Sequence, residues 1–251
     1  MRYMEVLAAA HERLNPSTYL EIGVRTGRSL GLARCRAIGI DPAFAITEEL
    51  HCDVSLFRTT SDAYFSRPDP LAATGGRPFE LAFIDGMHLF EFALRDFINA
   101  ERHSSTSGVV FFDDMMPNSV DEAARLKHTL LWTGDVYPMV EVLRRYRPDL
   151  TLITIDVRPT GLLLVAGLDP DNTTLADRYT EILAEYRRPD PQPVPQHLID
   201  RLGAQSPNRV IESGLFELLA GIPAGTPAAE VQAKITEQLA GTLFPRQPVA
   251  V

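Results

Sequence analysis

Four short apolar runs, each meeting a glycine or an aspartate at its end, constrain this chain more than anything else in it. Tyr19 to Val24 is β-rich and turns at Gly23. Ala37 to Ile40 ends at Asp41, Phe79 to Ile84 at Asp85, and Val109 to Phe112 at Asp113. A fifth run, Val54 to Thr60, precedes a short helical stretch around Ala63. Helical patterns fall between the runs: Ser29 to Arg36 is predicted as a helix, and Phe90, Leu94, Phe97 and Glu101 keep helical spacing. Strands apolar on both faces, alternating with helices, predict a parallel sheet covered on both sides.

The pattern then changes. Val120 to Leu131 and Val136 to Arg145 are predicted helices, followed by two β-runs, Leu150 to Val157 and Leu162 to Leu168. The residues between those runs, Arg158 to Gly161, are too few for a helical crossover, so the pair must be an antiparallel hairpin. The predicted fold class is therefore α/β: a Rossmann-like, doubly wound sheet, mostly parallel, with a C-terminal antiparallel hairpin. Such a sheet is similar to that of class I methyltransferases and unlike that of dinucleotide dehydrogenases. Beyond Pro170 the pattern is helical only. Leu175, Tyr179, Ile182, Leu183 and Tyr186 form one apolar face, a proline-rich linker covers Pro189 to Pro195, and helices are expected at Arg209 to Ala220 and from an N-cap at Thr226 through Leu239. The expected division is a main domain over 1–170 and a helical extension over 171–251 that packs on it, caps the site or makes a subunit contact.

Composition narrows the partners. With a net charge of −9 and no lysine or arginine run, the chain is expected to bind no nucleic acid. Apolar stretches such as Leu162 to Ala166 fall far short of the ~20 residues that span a bilayer, so no membrane partner is expected. Cys35 and Cys52 are expected as reduced thiols, and the first residues lack a signal peptide's apolar core. A cytoplasmic location and a homo-oligomer are expected.

The segment Glu21-Ile22-Gly23-Val24-Arg25-Thr26-Gly27-Arg28-Ser29 is a candidate nucleoside loop. Gly23 permits a sharp turn and close ligand approach, Gly27 permits tight packing, and Ser29 offers a hydroxyl and free N–H groups to a carboxylate. Asp41, at the end of the next strand, is placed to accept both ribose hydroxyls. The alternative is an ordinary glycine turn with a strand-ending acid. A dinucleotide loop wants a bare middle glycine under the pyrophosphate; Arg25 occupies that position here, which favours S-adenosylmethionine. Ser61 and Asp62 are candidates for the adenine amino group, or else helix caps.

Asp85-Gly86-Met87-His88 and Asp113-Asp114 lie at two further strand ends. On neighbouring strands about 4.8 Å apart, Asp85, Asp113 and Asp114 would converge, and three like charges need a cation. An all-oxygen set implies Mg²⁺ first, then Mn²⁺ or Ca²⁺. Asp113 and Asp114 can share one ion only where the strand has already turned into a loop. Turn and capping aspartates are the alternative. His88 is a candidate general base, or a histidine that orients a loop. Trp132, Tyr137, Met115 and Met116 either wall an acceptor pocket or belong to the core.

Tyr19-Leu20-Glu21-Ile22-Gly23 with Gly27 and Ser29 resembles the cofactor loop of small-molecule O-methyltransferases. Phe83-Ile84-Asp85-Gly86, His88, Phe90 and Asp96, then Phe111-Phe112-Asp113-Asp114, resemble the macrocin-type sugar O-methyltransferases and the related cephalosporin-hydroxylase-like proteins over roughly residues 15–170. Phe90 stands where tyrosine is usual, and Gly108 where a glycine pair is common. The resemblance implies Mg²⁺ held by Asp85, Asp113 and Asp114, a ribose-binding Asp41 and a base at His88. The expectation is an S-adenosylmethionine- and Mg²⁺-dependent O-methyltransferase, with His88 or Asp85 taking the proton from the hydroxyl of a sugar or natural product. A nicotinamide-dependent oxidoreductase and a non-catalytic binding protein are the alternatives.

Overall fold

A computed structural model of the chain describes residues 1–244. The chain opens with helix α1 (Tyr3–Leu14) and strand β1 (Thr18–Ile22), then β2 (Arg36–Ile40), β3 (Val54–Phe57), α2 (Ser61–Phe65), β4 (Phe79–Ile84), α3 (Phe90–Arg102) and β5 (Ser104–Phe112). Helix α4 (Met139–Tyr146), β6 (Thr151–Ile155) and β7 (Leu162–Ala166) follow. Six short helices complete it: α5 (Thr174–Asp177), α6 (Tyr179–Tyr186), α7 (Gln196–Ile199), α8 (Pro207–Ile211), α9 (Leu215–Ala220) and α10 (Ala228–Leu239).

The sheet has seven strands in the order β3-β2-β1-β4-β5-β7-β6. The first five are parallel, and β7 runs antiparallel between β5 and β6. The predicted architecture is thus the one found: the runs that lacked a polar face are those buried on both sides. Helices α1, α8, α9 and α10 cover one face, where Val6, Leu7, Phe111, Leu164, Phe216 and Ile235 share a core. The other face packs Leu20, Ile84, Phe97, Phe112, Val165 and Ile182 beneath α3, α4 and α6. Residues beyond 170 therefore pack on both faces. They also cover the open edge, since Gln205 exchanges backbone hydrogen bonds with Thr154 and Asp156 beside β6. No described helix is long and apolar enough to cross a membrane.

Three helix expectations fail locally. Ser29 to Arg36 contains only a single 3-10 turn at Leu30–Leu32. The glycine loop takes half of the crossover, and too few residues remain to form a helix and still return to the start of β2. Val120 to Leu131 is irregular: its backbone and side chains are claimed by partners elsewhere, which overrides propensity. Arg209 to Ala220 is broken into α8 and α9 by Gly214 in a left-handed conformation. The cap expected at Thr226 is absent; its hydroxyl donates to Pro223 O, and α10 starts after Pro227.

Phe216 is fully buried and packs on Phe111 at 6.4 Å between ring centroids. Phe216→Ala is expected to cost about 3–5 kcal/mol, read from urea melts. A loss under about 1 kcal/mol would mean that α9 is not part of the sheet's core.

Candidate active site

Strand register builds the site. Ile22 pairs with Ile40 and Ile84, and Ile84 with Phe112. The next residues, Gly23, Asp41, Asp85 and Asp113, therefore form a level row along the carboxyl edge of the sheet. The ladder continues into that row, because the N–H groups of Gly23, Asp85 and Asp113 donate to Ile40 O, Ile22 O and Ile84 O. The strand order reverses between β1 and β4, and that reversal point is where open α/β sheets bind ligands.

Gly23 has φ +93°, and a Cβ there would overlap the Asp85 carbonyl. Two residues on, the Arg25 N–H donates to Asp41 at 2.7 Å, and the Ala43 N–H donates to the other carboxylate oxygen at 2.6 Å. Asp41 thus orders the glycine loop. An ionised carboxylate offers about four acceptor positions, so two remain for a ribose diol. Gly27 packs against Ile46 of the β2–β3 connection rather than at the start of a helix.

Glu21 lies beneath this loop and is fully buried. Its carboxyl accepts hydrogen bonds from Tyr19 Oη at 2.6 Å and Ser29 Oγ at 2.9 Å. Burial pushes its pKa up to about 8 despite those donors. The Ser29 hydroxyl is therefore turned inward and, with only a single 3-10 turn following it, does not form the predicted carboxylate-binding helix end. Ser61 and Asp62 also point to protein partners. Asp62 forms a bidentate pair with Arg95 of α3, both contacts at 2.8 Å, and Ser61 hydrogen-bonds Asp96.

At the ends of β4 and β5 the structure gathers Asp85, His88 and Asp114, which offer three ligand atoms within 4.8 Å of one another. His88 Nε2 lies 3.2 Å from Asp85 and Nδ1 lies 2.7 Å from Asp114. The Asp114 oxygen is close but off the N–H direction, so the buried Nδ1 lacks an aligned hydrogen-bond partner. Burial opposes a charge on His88, yet the two carboxylates outweigh it and raise its pKa to about 10. Asp85 is raised by burial and by the Asp114 charge. Asp113 is raised well above the carboxylate range by burial, then by Asp114 and Asp85.

The condition set by the alternation of strand side chains is met, because β5 ends at Phe112 and Asp114 adopts φ +62°. Asp113 lines the same cavity but stays outside the gathered set, its carboxylate accepting the Asp114 N–H at 2.9 Å. The cavity measures about 10 Å³, room for one ion or water and not for a nucleoside.

Three features escaped the sequence. Thr160, in the β6–β7 turn, donates to Asp114 Oδ1 at 2.5 Å and leaves the other oxygen to face His88. Asp96 is buried in the cavity wall, its pKa raised to about 7 by burial and its Oδ1 without a partner. Trp132 stacks flat on His88, with centroids 5.1 Å apart and planes 7° apart. Met115, Met116 and Tyr137 are buried. Asp96 carried a sequence signal as part of the motif that begins at Phe83, and Trp132 as one of several aromatic and methionine residues beyond the fifth strand; Thr160 carried none.

A family model described as a methyltransferase domain matches residues 20–115, the stretch that supplies Glu21 through Asp114. Among solved structures, the chain resembles the O-methyltransferase TomG from Streptomyces achromogenes, involved in tomaymycin synthesis and bound to SAM. The identity is 20%, the TM-score 0.48, and the coverage 65% of this chain and 78% of that one. It also resembles an O-methyltransferase from Bacillus cereus in complex with SAH, at 14% identity, TM-score 0.45 and coverage of 65% and 80%. The N-methyltransferase NodS from Bradyrhizobium japonicum matches at 15% identity, TM-score 0.40 and coverage of 64% and 90%. The search of curated proteins finds no match.

Glu21 makes a prediction with a definite sign. Its pKa is raised in the fold, so the stability it contributes is complete below its ordinary value of 4.5 and is lost as pH rises through about 8. Glu21→Gln keeps the shape and removes the titration. The difference in urea-melt stability between about pH 5 and about pH 8 is expected to shrink by a few kcal/mol relative to the native chain. An unchanged difference would mean that Glu21 is ionised in the fold.

Proposed function

We propose that this chain, a class I S-adenosylmethionine-dependent methyltransferase by its matched domain and sheet order, transfers a methyl group to a hydroxyl oxygen of a small molecule with the help of a divalent cation. The observation that carries this reading is the level row of Gly23, Asp41, Asp85 and Asp113 at the reversal of strand order. It offers a nucleoside position over β1 and β2 beside a cation position over β4 and β5.

The fit to a cation rests on the donor set and on the orphaned ring nitrogen. Asp85, His88 and Asp114 supply two carboxylates and one imidazole, and Nδ1 of His88 is buried without an aligned partner. One nitrogen among the donors brings Mn²⁺ level with Mg²⁺, where an all-oxygen set favoured Mg²⁺. When bound, the cation lowers the pKa of a hydroxyl beside it.

The remaining work belongs to the chain. Thr160 fixes the rotamer of Asp114, and Trp132 fixes the ring of His88. With one ring nitrogen given to a cation, the other would stay an N–H within 3.2 Å of a carboxylate. The second oxygen of Asp85 is then left to take the proton from the acceptor hydroxyl. Asp41 and the Gly23 turn would hold the nucleoside, and fixing it beside the acceptor hydroxyl would supply the larger part of the rate gain.

Calorimetry with S-adenosylhomocysteine and with Mn²⁺ tests the two halves separately. Asp114→Asn is expected to weaken Mn²⁺ binding at least tenfold with the nucleoside affinity unchanged. Asp41→Asn is expected to do the reverse, and NAD⁺ is expected to give no heat. A chain that binds NAD⁺ and ignores S-adenosylhomocysteine would be an oxidoreductase, and the reading would fall.

A further inference from the structure

The loop from Glu122 to Asp135 is fastened at its base. Thr133 and Gly134 donate their N–H groups to Glu122 O at 2.9 and 3.2 Å, and Trp132 Nε1 donates to Ala124 O at 2.6 Å. Arg125 pairs with Glu91 at 2.6 Å and with the buried Asp135, which itself accepts the Phe90 N–H where α3 begins. The Arg125 N–H donates to Asp190. Gly134, at φ +61°, lies so close to the His88 carbonyl that a Cβ would overlap it. The base of the loop is thus joined to the same turn that carries His88, and Trp132 covers that ring.

The far end of the loop is the opposite. Leu126 is 77% exposed, Leu130 97% and Leu131 45%, and Met87, between Asp85 and His88, is 57% exposed. Of the eight large apolar side chains exposed among the described residues, five lie in or beside this loop or in the His88 turn. A fixed base with an unburied apolar tip, joined through Trp132 to the cation position, is a surface built to be covered when the site is filled.

Resting on the function proposed above, we infer that this loop binds the acceptor, and that the acceptor carries an aromatic or alkyl body next to its reacting hydroxyl. Its hydroxyls face the cation position, and its apolar body lies on Leu126, Leu130 and Met87, beside a Trp132 ring that is stacked on His88 and has Lys127 Nζ 5.7 Å from its centroid. A bare sugar would leave those leucines in water and gain nothing from them.

Calorimetry on the full chain, after titration with S-adenosylhomocysteine and Mn²⁺, compares 2,3-dihydroxynaphthalene with methyl α-D-glucopyranoside. The naphthalenediol is expected to bind and the glucoside to give little heat. Leu130→Ser is expected to weaken the diol about tenfold and Leu126→Ser/Leu130→Ser further, with the Mn²⁺ and S-adenosylhomocysteine titrations unchanged. Glucoside binding as tight as the diol, or diol binding indifferent to both variants, overturns the inference. So does sedimentation showing a dimer that Leu130→Ser dissociates while diol binding is unchanged, because the leucines would then cover a second copy. Absence of S-adenosylhomocysteine binding counts against the methyltransferase reading alone; the diol titration still decides the role of the loop.

Discussion

The register of the parallel strands is the constraint on which the site depends. Parallel pairing aligns residue ends without a hairpin to stagger them, so whatever follows Ile22, Ile40, Ile84 and Phe112 arrives at one height. Three of those following positions are acidic, and the fourth is the glycine that lets β1 turn away. The arrangement is costly, because carboxylates gathered at one edge repel one another and are partly cut off from water. The protein meets the cost in two different ways. Asp41 accepts the backbone N–H groups of Arg25 and Ala43 and becomes part of the glycine loop. Asp85 and Asp114 face the two ring nitrogens of His88, at 3.2 and 2.7 Å.

Backbone strain falls in the same place. Arg25, His88 and Asp114 are three of the five described non-glycine residues with positive φ. Each such residue costs free energy and persists only where its surroundings over-determine it. The surroundings are identifiable: Asp41 for Arg25, Trp132 and Gly134 for His88, and Thr160 for Asp114.

What the sequence made legible was the part governed by short-range pattern. Short apolar runs, four of them meeting a glycine or an aspartate at their ends, pointed to the parallel strands, and the short turn at Arg158 to Gly161 to the antiparallel pair. The row at the sheet edge followed from those two readings. The parts that were lost depend on distant partners. Nothing local in Val120 to Leu131 says that Arg125 will be held by Glu91 and Asp135, or that Glu122 will accept from Thr133. His88 stands in the gathered set where Asp113 was expected, and Asp113, lining the same cavity, spends a carboxylate oxygen on the Asp114 N–H. Helix α1 is the opposite case, local in origin: Val6, Leu7, Ala10 and Leu14, all buried, lie on one helical face.

The residues after 170 are tied to the chemistry more closely than their position suggests. Asp190, in the proline-rich linker, accepts the Arg125 N–H, and Arg187 lies 3.2 Å from Glu91. Glu91 and Asp135 are the carboxylates that hold the Arg125 guanidinium, and Asp135 also caps the first turn of α3. That turn follows directly on His88 and Leu89. Arg187 and Asp190 are exposed, but Glu91, Arg125 and Asp135 on that path are largely buried, where a lost partner leaves an uncompensated charge and costs far more than a surface pair would. An independent add-on could be removed without touching the site. Here Arg187 and the linker's Asp190 reach, through Glu91, Arg125 and Asp135, the first turn of the helix that follows His88.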